Sequence, residues 1–201
     1  MAWVVNGIEG RGDTPPACAG TCKGLAVVIG TGRCMHDDVK AFDPEREGAQ
    51  VVAINDAILH YHRRIHHAAS LHPEHPPLWR ALRGTHGCEA GDILTHASHE
   101  PRHAICEHLW PDFIWPHMEL STGGTSSLFA VFVALALGYE KVVLLGVPMD
   151  GTGHFYDAPW DNDGVFLAEN IRMEWAWANE RKFRGRVKSM SGRTREWLGA
   201  P

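Results

Sequence analysis

Ser121-Thr122-Gly123-Gly124-Thr125-Ser126-Ser127 runs into Leu128-Phe129-Ala130-Val131-Phe132-Val133-Ala134-Leu135-Ala136-Leu137-Gly138-Tyr139, and then, after one glutamate, into Lys141-Val142-Val143-Leu144-Leu145-Gly146. The middle segment is apolar on every face, which marks a helix buried on all sides. A hydroxyl at Thr122 or Thr125 suits its N-cap, because the oxygen accepts from a first-turn amide that has no helical partner. Gly138 suits its end, where a left-handed residue costs least. The β-branched run after it reads as a buried strand. A helix that opens in glycines and hydroxyls presents bare N–H groups and a positive dipole end, the floor of a pocket for phosphate or carboxylate.

Working outward, Leu25-Ala26-Val27-Val28-Ile29 is another buried strand, and it ends in the turn Gly30-Thr31-Gly32. The turn lacks the third glycine of the dinucleotide fingerprint. Val51–Ile54 is a strand ending at Asn55-Asp56, residues 57–65 read as a helix, and His66–Leu71 is a strand ending at His72-Pro73. A helix comes next around Leu78–Leu82, with weaker strands at Ile93–His96 and His103–Cys106. Residues 165–181 form a helix with Leu167, Ile171, Trp175 and Ala178 on one face. Arg186–Met190 is the last strand, before a turn and short helical tail over 191–199.

Strands alternating with helices predict a three-layer, Rossmann-like α/β fold, a mostly parallel sheet with helices on both faces. Ligands of such sheets sit at the carboxyl ends of the strands. Gly30, Thr31, Gly32, Asn55, His72 and Gly146 all occupy such ends, facing Thr125 and Ser126 at the helix start. The loop Val147–Asp157, rich in glycine, would overhang the pocket and brings Asp150, His154, Tyr156 and Asp157 as contact or proton-transfer residues. Residues 1–24 are expected to be a leader, poorly ordered or forming a short edge strand at Trp3–Val5, because glycines and prolines interrupt the remainder of that stretch. Residues 25–201 are then one domain.

Composition narrows the classes. With 201 residues, 44% hydrophobic and 21% charged, the chain has the content of a globular domain. A net charge of −5 argues against nucleic-acid binding through a broad basic surface. No apolar run reaches the length of a transmembrane segment, and no secretion signal opens the chain. Five cysteines without a dense pattern suit a reducing, cytoplasmic setting. Eight tryptophans serve a core or a homo-oligomer contact equally well.

Twelve of the 14 histidines lie between His60 and His117. A helix over 57–65 would set His62 and His66 one turn apart, close enough to share an ion. No HExxH or CxxC framework accompanies them, so no metal site is assigned and surface histidines are the simpler account.

The segment Thr125–Tyr139 followed by Glu140–Gly146 resembles the central helix and strand of bacterial family-42 sialyltransferases. It is also similar to the DUF115 group, which includes motility accessory factors and 6-hydroxymethylpterin diphosphokinases. The resemblance spans roughly residues 25–157. It implies that Gly30, Thr31, Gly32, Asn55, His72, Thr125, Ser126 and Tyr156 bind a nucleotide or nucleotide-sugar, of CMP or CDP type. Several positions depart from the pattern. Thr31 stands for the turn asparagine, Arg33 for a proline, Asp150 for one phosphate tyrosine and Pro148 for an aspartate. The family's lid histidine is missing, since Gly164-Val165-Phe166-Leu167 stands there.

Three functions are compatible with these residues. The first is a glycosyltransferase-like transferase in which His154 or Asp150 takes the acceptor proton. The second transfers diphosphate to a pterin-like alcohol and needs Mg²⁺ held by Asp56, Asp150 or Asp157. The third is a non-catalytic phage or accessory protein that keeps the fold.

Overall fold

The computed structural model describes residues 2–11, 15–89, 91–100, 110–115, 125–158 and 169–201. The chain begins with β1 (Ala2–Val5) and β2 (Ile8–Arg11), paired antiparallel. Asn6 and Gly7 turn this hairpin at φ 52° and 82°, the two positive angles that a tight two-residue hairpin loop requires. Trp3 stands opposite Gly10, and a Cβ on Gly10 would fall 2.1 Å from the indole. The glycine that reads as a breaker is thus a strand residue, kept bare for a buried tryptophan.

Next come β3 (Leu25–Ile29), α1 (Met35–Ala41), β4 (Gln50–Ile54), α2 (Ala57–His60), β5 (His67–Ser70), α3 (His75–Leu82), β6 (Leu94–Ala97) and β7 (Phe113–Ile114). The chain continues through α4 (Ser126–Leu137), β8 (Lys141–Leu145), α5 (Glu169–Ala178), β9 (Val187–Ser189) and α6 (Gly192–Leu198). Strands β3 to β9 form one seven-stranded parallel sheet in the order β7-β6-β5-β4-β3-β8-β9. The expected strand at His103–Cys106, the run Ser121–Gly124 and the stretch Gly164–Leu167 lie outside the described residues.

The sheet is buried on both faces, and alternation along each strand sorts the core. Ala26, Val28, Val52, Ile54, Val142 and Leu144 face α4, with Ile171 and Trp175 of α5 in the same cluster. Val27, Ile29, Val51, Ala53, Val143 and Leu145 face the other way, onto Met35 of α1 and Ala57 and Ile58 of α2. This is the three-layer α/β arrangement expected. Every residue of α4 is buried, as its all-round apolarity requires. Thr125 caps it, accepting from Leu128 N at 3.2 Å, and Gly138 ends it in the left-handed region. Two amides of the leader, Gly20 N and Cys22 N, donate to Ala136 O and Leu137 O at 2.8 and 2.7 Å, so the orphan carbonyls of this buried end are satisfied.

The helix expected over 57–65 is only Ala57–His60. Its carbonyls are claimed elsewhere. The buried Arg83 guanidinium donates to Ile58 O at 2.5 Å and Tyr61 O at 2.8 Å, and also to Arg63 O. The one-turn relation of His62 and His66 therefore does not form.

Surface placement does not account for two of the histidines in this region. His67 and His96 are core residues in a hydrogen-bonded chain. Trp115 Nε1–H donates to His96 Nδ1 at 3.0 Å, His96 Nε2 lies 3.0 Å from His67 Nδ1, and His67 Nε2 lies 3.1 Å from Tyr139 Oη. Tyr139 then donates to Gln50 Oε1. Because indole only donates, every bond runs in one direction and both imidazoles are neutral. Burial drives the His67 pKa down to about 4 and that of His96 well below its ordinary value.

Candidate functional site

β3 leads into Gly30 and β8 into Gly146, and these neighbouring strands are separated in sequence by β4 to β7. The strand order reverses between them, so their connections leave to opposite sides and a crevice opens at the carboxyl ends. Gly32 N donates to Gly146 O at 2.9 Å, closing the turn against the next strand. The loop after β8 is laid over it. Phe155 N donates to Thr31 O at 3.0 Å and Arg33 N to Gly153 O at 3.1 Å. The Arg33 side chain adds bonds to Thr152 O and Asp157 O, both at 3.0 Å.

The resulting cleft is half open, with a volume of about 80 Å³, and is lined by Gly30, Thr31, Gly32, Asn55, Thr125, Ser126, Ser127, Gly146, Asp150 and His154 among others. The ends of β3, β4 and β8 therefore meet the opening of α4. Asn55 sits at φ 48°, a left-handed angle that asparagine tolerates better than most residues, and its Oδ1 accepts from Ser70 Oγ at 2.8 Å. Ser126 Oγ accepts from Leu71 N at 3.2 Å and so ties the start of α4 to the end of β5. Asp150 closes its own turn, accepting from Thr152 N at 3.1 Å and Thr152 Oγ1 at 2.7 Å.

Four of the residues singled out in the sequence, Asp56, His72, Tyr156 and Asp157, do not line the cleft. His72 is drawn away toward α3; Ser70 Oγ accepts its amide at 3.0 Å and its ring lies 5.3 Å from that of His75. Tyr156 stands at the rim, half exposed, with its ring parallel to that of His154 at 5.2 Å. Its hydroxyl donates to Asp56, whose other oxygen accepts from Thr31 Oγ1 at 3.1 Å. Asp56 thus links rim to turn, a role that no spacing in the sequence signals.

Asp157 has a second structuring role. One of its oxygens accepts from His154 N at 2.7 Å and lies 2.8 Å from His154 Nδ1. The amide of His154 is the chief cause that holds the Asp157 carboxyl below its usual pKa, with the imidazole and Arg33 adding to it. A neutral imidazole that donates Nδ1–H to this carboxylate carries its basic lone pair on Nε2. Asp56, Asp150 and Asp157, the carboxylates considered for Mg²⁺, are each engaged by protein groups. Among the described residues no three histidine, cysteine or acidic side chains are grouped to hold a metal ion, and no helix is long and apolar enough to cross a membrane.

No protein-family model matches the sequence. No curated protein matches it either. Among solved structures the fold is similar to that of the sialyltransferase CstII from Campylobacter jejuni, determined in complex with a substrate analogue, cytidine-5'-monophosphate. That superposition has a TM-score of 0.55 at 14% identity and covers 88% of this chain and 84% of CstII. The MAf glycosyltransferase from Magnetospirillum magneticum AMB-1 is a more distant neighbour, with a TM-score of 0.48, 19% identity and 70% of this chain covered. This chain spans only 26% of that protein's length. At 14% identity the likeness to CstII shows the fold alone.

Proposed function

We propose that the protein is a nucleotide-using, glycosyltransferase-like transferase whose donor phosphate lies in the cleft between Gly30–Gly32 and Thr125–Ser127. The observation that carries this reading is the convergence of three strand ends and the N-terminus of α4 on one crevice at the sheet's switch point. Bare amides at a helix start favour a phosphate, and the cleft volume of about 80 Å³ suits such a group, with the nucleoside lying out over the Tyr156 rim. His154, oriented by Asp157, takes the proton of the acceptor hydroxyl at Nε2 as that oxygen attacks the sugar. The amides that open α4 steady the nucleotide as it leaves. Asp150, spent on its own turn, is the weaker base.

The test is thermal unfolding with CMP, CDP, UDP and GDP in turn. One of them, at a hundred times its Kd, adds about 2.7 kcal/mol of stability. Thr125→Ala weakens that response, whereas a melting temperature that none of the four moves sinks the reading.

A further inference from the structure

We propose a second anion site, at the opposite end of the sheet, in which Arg181, Arg184 and Arg186 bind a phosphate monoester or diphosphate group. The chain turns there between α5 and β9, through a wide helical turn over Asn179–Phe183. Arg184 and Gly185 come next at φ 51° and 78°. The hairpin loop Asn6-Gly7 packs against this turn and the two enclose a cavity of about 300 Å³, lined by Asn6, Gly7, Arg181, Lys182, Arg184 and Arg186. Four of those six residues are cationic, in a chain whose net charge is −5.

Four cations, Arg181, Lys182, Arg184 and Arg186, line this cavity, with Glu180 on the same turn. Among the described carboxylates Glu9 reaches it, 3.1 Å from Lys182 Nζ. Arg186 spends Nε on Phe183 O at 3.2 Å and Nη2 on Lys182 O at 3.0 Å and Asn6 O at 3.4 Å, while its Nη1 makes no bond among the described residues. These bonds fix its plane but bring no negative charge. Burial, with Arg184 close by, makes its cationic form costlier than in water. A ligand that returns negative charge here relieves that cost, and a phosphate does so with pairs of oxygens that accept the planar fork of a guanidinium.

A neighbouring cavity of about 530 Å³ shares Arg184 and Arg186 and is lined also by Leu25, Phe42, Lys141 and the carboxylates Glu47 and Glu140, room for an uncharged remainder of an ester. Lys141 opens β8, while Gly146 lies in the cleft beyond its end. Five strand residues separate the two places by ~16 Å, so this site is distinct from the cleft.

The experiment is calorimetric titration with inorganic pyrophosphate at low salt. The wild-type protein is compared with Arg181→Ala/Arg184→Ala, which removes two exposed side chains that make no hydrogen bond among the described residues. The double variant loses at least tenfold in affinity, or one of two binding equivalents if the cleft also takes pyrophosphate. Arg181→Lys/Arg184→Lys keeps the charge but loses the fork, and binds several-fold more weakly than wild type. Co-sedimentation with phosphatidylcholine vesicles, with and without phosphatidic acid, identifies the source. Capture only by the acidic vesicles, lost in the alanine variant, assigns a lipid headgroup; pyrophosphate binding without capture assigns a free phosphorylated molecule. Pyrophosphate binding that is absent, or unchanged by the alanine pair, overturns the site. Full affinity in the lysine pair also overturns it, leaving diffuse attraction. None of these outcomes depends on a nucleotide in the cleft.

Discussion

Gly30 and Gly146 press backbone against backbone: a Cβ on Gly30 would lie 2.6 Å from Gly146 O, and one on Gly146 would lie 2.4 Å from Gly30 O. The floor of the cleft is bare main chain because neither position has room for more. Gly146 also sits at φ 64°, where a side chain is strained whatever the space. Gly146→Ala therefore costs more than about 2 kcal/mol, read as a lower urea midpoint at unchanged slope. A midpoint equal to wild type would contradict the close approach.

The neutral pair His67–His96 sets a pH dependence of its own. Both pKa values are lower in the folded protein than the ordinary histidine value, that of His67 reaching about 4. The unfolded chain then binds the extra protons, so the pair's contribution is complete above about pH 6.5 and is lost as pH falls toward 4. Each histidine steepens the loss by up to about 1.4 kcal/mol per pH unit in that window. Urea unfolding at intervals from pH 7.5 to 4.5 measures it. Stability that stays level down to pH 5 would show that both imidazoles take up protons in the fold as readily as in the unfolded chain.

Much of the fold was legible where apolar patterning alone decided it. Leu25–Ile29, the α4 segment with Thr125 and Gly138 at its ends, and the Lys141–Leu145 strand appear as the sequence reads. Elements that depend on a distant partner were not legible. Gly10 becomes a strand residue only because Trp3 lies over it, and α2 is cut short by an arginine more than twenty residues downstream. The two-residue strand Phe113–Ile114 is too short to carry a period. In the cleft, residues carried by strand ends were foreseeable, because alternation fixes where strands stop. The places of Asp56, Asp157 and His72 come from side-chain bonding between loops, which has no sequence period.

Arg83 is 1% exposed and holds four main-chain carbonyls, those of Ile58, Tyr61, Arg63 and Glu89. Three of these carbonyls lie in the crossing from β4 to β5 and the fourth in the loop after α3, where Glu89 N also donates to His62 O at 3.1 Å, so the guanidinium is a staple that reinforces this junction. Lysine has the charge but not the fork. Arg83→Lys strands at least one buried carbonyl together with a poorly placed ammonium, and lowers stability by about 3 kcal/mol or more. Chemical denaturation gives the number; a loss under 1 kcal/mol would mean that water reaches these carbonyls instead.

Asp157 offers the sharpest test of how His154 is used. Its carboxylate fixes both the backbone and the ring of His154, and its depressed pKa keeps it charged well into acid. Asp157→Asn keeps an oxygen to accept from the amide but removes the charge that stabilises a protonated imidazole. Because one oxygen both accepts from the amide and faces Nδ1, the Asn oxygen that keeps the first bond also keeps the Nδ1–H tautomer, and the loss is that of the charge. If His154 is the base, this variant lowers kcat by at least about tenfold while the nucleotide Kd stays within twofold of wild type. Its loop remains zipped to the turn after β3 by the bonds from Arg33 and Phe155, which do not involve the carboxylate. Loss of nucleotide affinity with unchanged kcat would instead make Asp157 a strut of the binding loop and move the proton acceptor elsewhere.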